Sequence, residues 1–159
     1  MLPEDLLQLD QISLSNNATS KKRALEVVAE LLAAGTNTPS AEAIYEKLLD
    51  RERLGSTGMS HGIALPHARI KGINKPTGAF LRLSKGIDFD SLDNKPVDLV
   101  FGLLVPEQAT EVHLELLAEL ARLFNKPQLC AQIRQATSDE QVLHLLNPHP
   151  LAHAASDHS

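Results

Sequence analysis

The spacing of apolar residues along the chain predicts five helices. In the first two, apolar positions recur every three or four residues behind a residue that can cap a helix. The first is expected to begin after Thr19 or Ser20 and to end at Gly35, and the second to begin after Ser40. Three further helices are predicted towards the C-terminus, at about 111–124, 127–135 and 138–146.

Shorter apolar patterns predict strands between these helices. An edge strand is expected around Ile12 and Leu14, and residues 77–84 alternate between apolar and polar positions, which is typical of a half-buried strand. Residues 97–105 are almost all apolar and end at Pro106, so a central strand buried on both faces is expected there. This order of elements favours an α/β domain whose sheet is covered by helices on both sides.

Composition limits the class of protein. The chain has 159 residues, enough for one domain, which is placed at residues 1–148 with a mobile tail at 149–159. Its formal net charge of −5 does not favour nucleic acid as a partner. The single cysteine, Cys130, excludes an intramolecular disulfide and sits in an apolar helical pattern, so a buried structural thiol is expected. The N-terminus lacks the features of a signal peptide, and no apolar run reaches the ~20 residues of a membrane span, so a cytoplasmic protein without membrane insertion is expected.

Residues 51–69 hold most of the candidate chemistry. The segment contains three glycines, two histidines and three arginines in 19 positions. Glycine lets the main chain approach a ligand closely, arginine binds phosphate bidentately, and hydroxyls and free N–H groups bind anions. Histidine can exchange protons or accept a phosphoryl group near neutral pH. The segment is therefore interpreted as an anion-handling loop that delivers one imidazole.

Two of the seven histidines stand out by their positions. His67 follows the glycine-rich loop, a short apolar run and Pro66, at the expected end of a strand, where α/β folds usually place their sites. His113 opens the helix after the central strand. With Thr110 as N-cap it would be the third helical residue, near unpaired N–H groups and the positive end of the helix dipole, which would lower its pKa and make it a neutral hydrogen-bond donor at pH 7. Whether His67 and His113 meet is left open by the sequence.

Two motifs in this region resemble a known signature. The sequences Arg51–Gly58 and Gly62–His67 are similar to the phosphohistidine signature of the mannitol/fructose-type enzyme IIA domains of the phosphoenolpyruvate-dependent phosphotransferase system. Residues 21–26, 93–99 and 103–106 resemble the nitrogen-regulatory branch of that family, enzyme IIA-Ntr. The resemblance covers residues 10–146 and implies a single α/β domain with a mixed sheet between helical layers.

The resemblance also implies roles for individual residues. His67 matches the phosphorylated histidine, His113 the second active-site histidine, and Arg51 the arginine that precedes the phosphoacceptor. Ser56 and Thr57 are further candidates for phosphate binding, through their hydroxyls and the N–H groups of the loop.

The sequence departs from the family pattern at two neighbouring positions. The family usually has Gly where this chain has Ser60, and Asn or Glu where it has His61. If that glycine serves a left-handed conformation, Ser60 adds strain or implies a reshaped loop. His61 is a third candidate for phosphate binding, although exposure to solvent is the favoured interpretation.

The resemblance implies a phosphoryl carrier rather than a free-standing turnover enzyme. It would accept phosphate on His67 from an HPr-like protein and regulate other proteins by its phosphorylation state, with no cofactor and no metal. Two alternatives stay open: a regulatory binding module that does not need phosphorylation, and an enzyme IIA of fructose or mannitol transport. A metal-dependent hydrolase built on His61, His67 and His113 is disfavoured, because their spacing matches no usual zinc motif. The targets and the oligomeric state, with a homodimer as one option, are not given by the sequence.

Overall fold

The computed structural model describes residues 2–36 and 39–147. The tail predicted to be mobile, residues 149–159, lies outside the described residues. The helices are α1 Lys21–Ala34, α2 Ala41–Leu54, α3 Thr110–Phe124, α4 Pro127–Gln135 and α5 Asp139–Leu146, and the strands are β1 Ile12–Asn16, β2 Ile63–Ala64, β3 His67–Ile70, β4 Thr77–Ile87 and β5 Val97–Pro106. No helix within the described ranges has the length and hydrophobicity needed to cross a membrane.

The five strands form one mixed sheet. Its centre is the antiparallel pair β4 and β5. On one side β1 runs parallel to β4, and on the other β2 and β3 both run parallel to β5. These last two lie end to end along β5, since Ile63 is opposite Leu99 and His67 is opposite Leu103. The mixed sheet confirms the predicted fold class.

Helical layers cover both faces of the sheet. α1 and α2 bury residues such as Leu32 and Leu48 against one face, and α3 to α5 bury residues such as Leu120 against the other. β5 is buried on both faces, as predicted. The prediction that β4 is half-buried is wrong for its first half, because Phe80 packs into the second core while Leu81 packs into the first.

The ends of the first two helices follow from local chemistry. Ser40 is the N-cap of α2, as predicted, and Ser20, one of the two residues predicted for this position, is the N-cap of α1. Each side chain accepts a hydrogen bond from the backbone N–H three residues further on. α1 ends before Gly35, also as predicted, although φ there is −89° and needs no glycine. The reason for glycine is space, since a Cβ at this position would collide with the side chain of Gln11.

The only cysteine is a structural thiol. Cys130 is buried in the second core, and its Sγ–H donates to the carbonyl oxygen of Phe124 at 3.2 Å. Burial raises the pKa of this thiol. The prediction for Cys130 is confirmed.

The close approach of β5 to α1 gives a test of the packing. A Cβ added to Gly102 would overlap Cγ1 of Val28, so Gly102→Ala requires the core to shift. We expect this variant to lower the free energy of unfolding by about 1–3 kcal/mol, measured by urea denaturation. The control is Gly55→Ala, because among the described residues, its chain neighbours aside, no heavy atom lies within 4 Å of the added Cβ. Equal losses in the two variants would contradict the packing described.

Candidate functional site

His67 lies at the break between β2 and β3. Leu65 and Pro66 separate the two strands, and the carbonyl of Pro66 still accepts the N–H of Leu103 in β5. His67 follows the end of the apolar strand β2 and Pro66, as predicted, and it is also the first residue of β3, which was not predicted. The site is therefore at an interruption of the sheet edge, which leaves the imidazole half-buried.

Both ring nitrogens of His67 have defined partners. Nδ1 lies 2.8 Å from the carbonyl oxygen of Leu65, and because a carbonyl can only accept, Nδ1 carries the proton. Nε2 accepts a hydrogen bond of 3.2 Å from Nε of Arg51. In the neutral ring these two contacts select one tautomer, with the lone pair on Nε2.

Arg51 reaches His67 from the last turn of α2. Its Nη1 donates to the carbonyl oxygen of Gly55 at 2.8 Å, just beyond the helix end. The guanidinium is thus held at two points, one on the loop backbone and one on the imidazole. Its planar shape leaves other N–H groups to donate to an anion placed beside Nε2.

The structure brings His113 against His67, which the sequence left open. The ring centroids are 5.1 Å apart and the ring planes are inclined by 68°. Nε2 of His113 is buried, and none of the described residues offers it a hydrogen-bond partner. A buried polar atom of this kind is available to a ligand that enters the site.

The predicted helical position of His113 needs correction. The N-cap of α3 is Ala109, and Thr110, which was expected to be the cap, is the first helical residue. The Oγ1 of Thr110 instead accepts a hydrogen bond of 3.2 Å from Arg69. His113 is consequently the fourth helical residue, and its backbone N–H already bonds to the carbonyl of Ala109.

Both histidines are held neutral at pH 7. Burial lowers the pKa of His67, and the Arg51 cation adds to this, while the hydrogen bond to Leu65 opposes it. Burial also lowers the pKa of His113, to about 4, and His67, Arg69 and Arg51 each contribute in the same direction. The direction predicted for His113 is correct, but its main cause is burial rather than the helix dipole.

The hydroxyls of Ser56 and Thr57 hold the loop. Oγ of Ser56 donates to the carbonyl of Phe89 at 2.6 Å, and Oγ1 of Thr57 donates to the carboxylate of Glu52 at 2.7 Å. Each hydroxyl has one proton, and in both residues that proton is already used. Phosphate binding by these two side chains stays a prediction.

His61 is exposed and has partners of its own. Among the described residues, its backbone N–H donates to Asp93 and its carbonyl accepts from Arg134. The left-handed residues of the loop are His61, with φ of 66°, and Gly62, with φ of 82°, so the strain expected at Ser60 falls one residue later. Histidine tolerates this region better than most residue types. No group of three potential metal ligands occurs within the described ranges.

Reasoning from the sequence missed Glu52. This glutamate is only 7% exposed, and its carboxylate accepts from the N–H of Thr57 at 2.8 Å and from its Oγ1 at 2.7 Å. Nζ of Lys21 lies 2.9 Å from the same carboxylate. The available signal was helical spacing, because Glu52 continues the buried stripe of Ile44 and Leu48 at intervals of four residues.

Comparison with known proteins identifies relatives of this chain. The family model "Phosphoenolpyruvate-dependent sugar phosphotransferase system, EIIA 2" matches residues 5–148. The chain is 46% identical over 127 residues to a nitrogen regulatory protein of Pseudomonas aeruginosa, covering 80% of this chain and 82% of that protein. It is 36% identical over 138 residues to the fructose-specific EIIA component of Haloferax volcanii, covering 87% of this chain and 90% of that protein.

A solved structure shows the same fold. The crystal structure of the nitrogen regulatory protein IIA-Ntr from Neisseria meningitidis matches with a TM-score of 0.84 and 40% identity, covering 89% of this chain and 97% of that one. The chain therefore belongs to the EIIA 2 family of the phosphoenolpyruvate-dependent sugar phosphotransferase system, in its nitrogen-regulatory, IIA-Ntr, branch.

Proposed function

We propose that this protein carries a phosphoryl group on Nε2 of His67, accepted from a phosphohistidine on an HPr-like protein, and that its phosphorylation state regulates partner proteins. The observation that carries the proposal is the tautomer of His67. With Nδ1–H bound to the carbonyl of Leu65, the lone pair lies on Nε2, beside the Arg51 guanidinium. A phosphoryl acceptor needs both an available lone pair and a nearby cation.

The transfer step requires His67 to be neutral when the donor arrives. Its lowered pKa meets this requirement at pH 7. The Nε2 lone pair then forms a bond to phosphorus while the N–P bond of the donor breaks, and that electron pair returns to the donor nitrogen. As Nε2 bonds to phosphorus, the ring of His67 gains positive charge. The hydrogen bond from Nδ1 to Leu65 stabilises that charge.

Arg51 and His113 have complementary tasks in this step. Arg51 must release Nε2 and turn towards the phosphoryl oxygens, and its bond to Gly55 keeps the guanidinium within reach as it does so. The buried Nε2 of His113 has no partner in the described part of the chain. As the protonated nitrogen of a neutral ring, it donates to a phosphoryl oxygen. Donors in a half-buried site stabilise such charge more strongly than donors in water.

A second candidate function is phosphoryl transfer in sugar transport. The 36% identity to a fructose-specific EIIA component supports it. The two functions share the chemistry at His67 and differ in the protein that receives the phosphoryl group. The 46% identity to a nitrogen regulatory protein favours regulation. Assembly as a homodimer and a cytoplasmic location stay predictions.

Intact-mass spectrometry tests the carrier chemistry directly. The wild type and His67→Ala are incubated with phosphoenolpyruvate and the donor phosphotransferase proteins, and spectra are taken at alkaline pH to preserve phosphohistidine. We expect the wild type to gain the mass of one phosphoryl group and His67→Ala to gain none. The matched control is His144→Ala, because His144 is an exposed histidine on α5. An unchanged wild-type mass, with donors that phosphorylate a control carrier, would exclude the proposed function.

The role of His113 is tested by the rate of the same reaction. Removing one donor from a site that stabilises developing negative charge typically lowers the rate about 10²–10³-fold. We expect His113→Ala to be phosphorylated on His67 at a rate lower by about 10²-fold, measured by quenched single-turnover mass spectrometry. A rate equal to that of the wild type would show that His113 does not contact the phosphoryl group.

The lowered pKa of His113 also predicts a dependence of stability on pH. The folded pKa is about 4, below the value of about 6.5 for an unfolded histidine, so the unfolded state binds more protons between these values. The contribution to stability is complete above about pH 6.5 and is lost as the pH falls towards 4. The lowered pKa of His67 acts in the same direction.

Two measurements check this dependence. NMR titration of the wild type should show the His113 ring titrating near 4. Urea denaturation between pH 7 and 4 should show a smaller loss of stability in His113→Gln than in the wild type. The same loss in both proteins would mean that His113 is not held neutral by the fold.

A further inference from the structure

Glu52 is a buried charge that the proposed chemistry does not use. It is only 7% exposed, and it occupies the helix position directly after Arg51. Both of its oxygens are engaged by Thr57: Oε1 accepts from the hydroxyl at 2.7 Å, and Oε2 accepts from the backbone N–H at 2.8 Å. Two charge-assisted hydrogen bonds to one residue fix that residue in position and orientation.

Thr57 is also linked to His67, through two hydrogen bonds made by the backbone of Leu65. Its carbonyl oxygen accepts the N–H of Leu65 at 3.0 Å. The carbonyl of Leu65 accepts Nδ1–H of His67 at 2.8 Å. A displacement of Thr57 therefore moves the group that selects the His67 tautomer.

A second connection leads to Arg51. Gly55 lies two residues before Thr57, and its carbonyl accepts Nη1 of Arg51 at 2.8 Å. The short segment between α2 and Thr57 has one end in the helix and the other end held by Glu52. The position of the Gly55 carbonyl therefore depends on both α2 and Thr57. Because this carbonyl binds Arg51, the position of the guanidinium depends on them as well.

We propose that Glu52 is a positioning residue for phosphoryl transfer: through Thr57 it fixes the tautomer of His67 and the placement of Arg51. The effect on the transfer rate rests on the proposed function, whereas the effect on the tautomer does not. Glu52 touches neither the reacting nitrogen nor the phosphoryl group. It positions both residues through Thr57, and its charge also acts on His67 from a distance by opposing the lowering of that ring's pKa by burial.

Lys21 has a different task, which is to balance the charge. Its Nζ lies 2.9 Å from Oε2 of Glu52 and 3.3 Å from Asp90, and it sits 5.0 Å from the ring centroid of Phe89. A carboxylate buried without a cation is strongly unfavourable. Loss of Lys21 lowers stability but leaves the two bonds from Thr57 in place.

The test compares substitutions at Thr57 and Glu52. Thr57→Ser keeps both donors, whereas Thr57→Val keeps the shape and loses the hydroxyl. Glu52→Gln replaces one carboxylate oxygen by an NH₂ group, which cannot accept from Thr57. Because Glu52→Gln leaves Lys21 without its buried partner, the double variant Lys21→Met with Glu52→Gln supplies a version in which both charges are absent.

Two readouts are made on the full chain. Long-range ¹H–¹⁵N spectra report which ring nitrogen of His67 carries the proton in the unphosphorylated protein. Single-turnover mass spectrometry with the phosphorylated donor reports the transfer rate. Both are recorded at 25 °C and pH 7.5, where urea denaturation first establishes that each variant is folded.

We expect the wild type and Thr57→Ser to show the Nδ1–H tautomer and equal transfer rates. Glu52→Gln, alone and with Lys21→Met, should show mixed tautomers and a rate lower by about tenfold or more, since small misplacement of reacting groups costs up to about 10²-fold. Thr57→Val should have a transfer rate and a share of the Nδ1–H tautomer between those of the wild type and Glu52→Gln. Lys21→Met should keep the wild-type tautomer and rate while losing stability.

A purely structural role for Glu52 gives a different result. The folded variants Glu52→Gln and Thr57→Val would then keep the wild-type tautomer and a rate within twofold of Thr57→Ser, and the proposal would be wrong. If the variants that contain Glu52→Gln do not fold, the comparison of Thr57→Val with Thr57→Ser tests the proposal by itself. If the wild type accepts no phosphoryl group, the carrier function fails, and the tautomer comparison still decides whether Glu52 positions His67.

Discussion

The hydrogen bond from Nδ1 of His67 to the carbonyl of Leu65 decides what the site can do. A neutral imidazole has one proton, so this bond determines which nitrogen has the free lone pair. The carbonyl of Leu65 is available because successive residues along this sheet edge point their backbone groups alternately towards β5 and away from it. Gly62 and Pro66 direct their carbonyls to β5, whereas Leu65 directs its N–H and its carbonyl away from β5, to Thr57 and His67. The edge of the sheet thus supplies the element that orients the ring.

Burial serves the site in two ways. It lowers the pKa values of His67 and His113, so that both rings are neutral when an anionic group approaches. It also strengthens each hydrogen bond to that group, because less water competes. Arg51 supplies the positive charge that the neutral rings lack. Its contact with His67 opposes protonation of that ring, so the cation that would bind an incoming anion also helps to keep the imidazole neutral.

Local signals in the sequence predicted much of the fold, and the three residues that the family resemblance assigned to the site, His67, His113 and Arg51, lie together in the structure. Ser20 and Ser40 begin their helices as expected, because a cap needs only its own backbone. The prediction failed at Thr110, where Arg69 takes the side chain that would have capped α3. Such competition between a local and a distant partner cannot be read from spacing. The burial of Glu52 does follow the helical spacing of α2, but the partners that satisfy its charge, Thr57 and Lys21 from another helix, could not be read from that spacing.

The chemistry of Glu52 also shows why a charge is buried here at all. An ion pair inside a protein is often no more stabilising than apolar residues of similar size, because both charges lose their water. Apolar side chains at Glu52 and Lys21 could fill the same space. They could not accept two hydrogen bonds from one residue, and Thr57 would then have a buried N–H and a buried hydroxyl without partners. The carboxylate is therefore best explained by the geometry it imposes on Thr57, and stability alone does not require it.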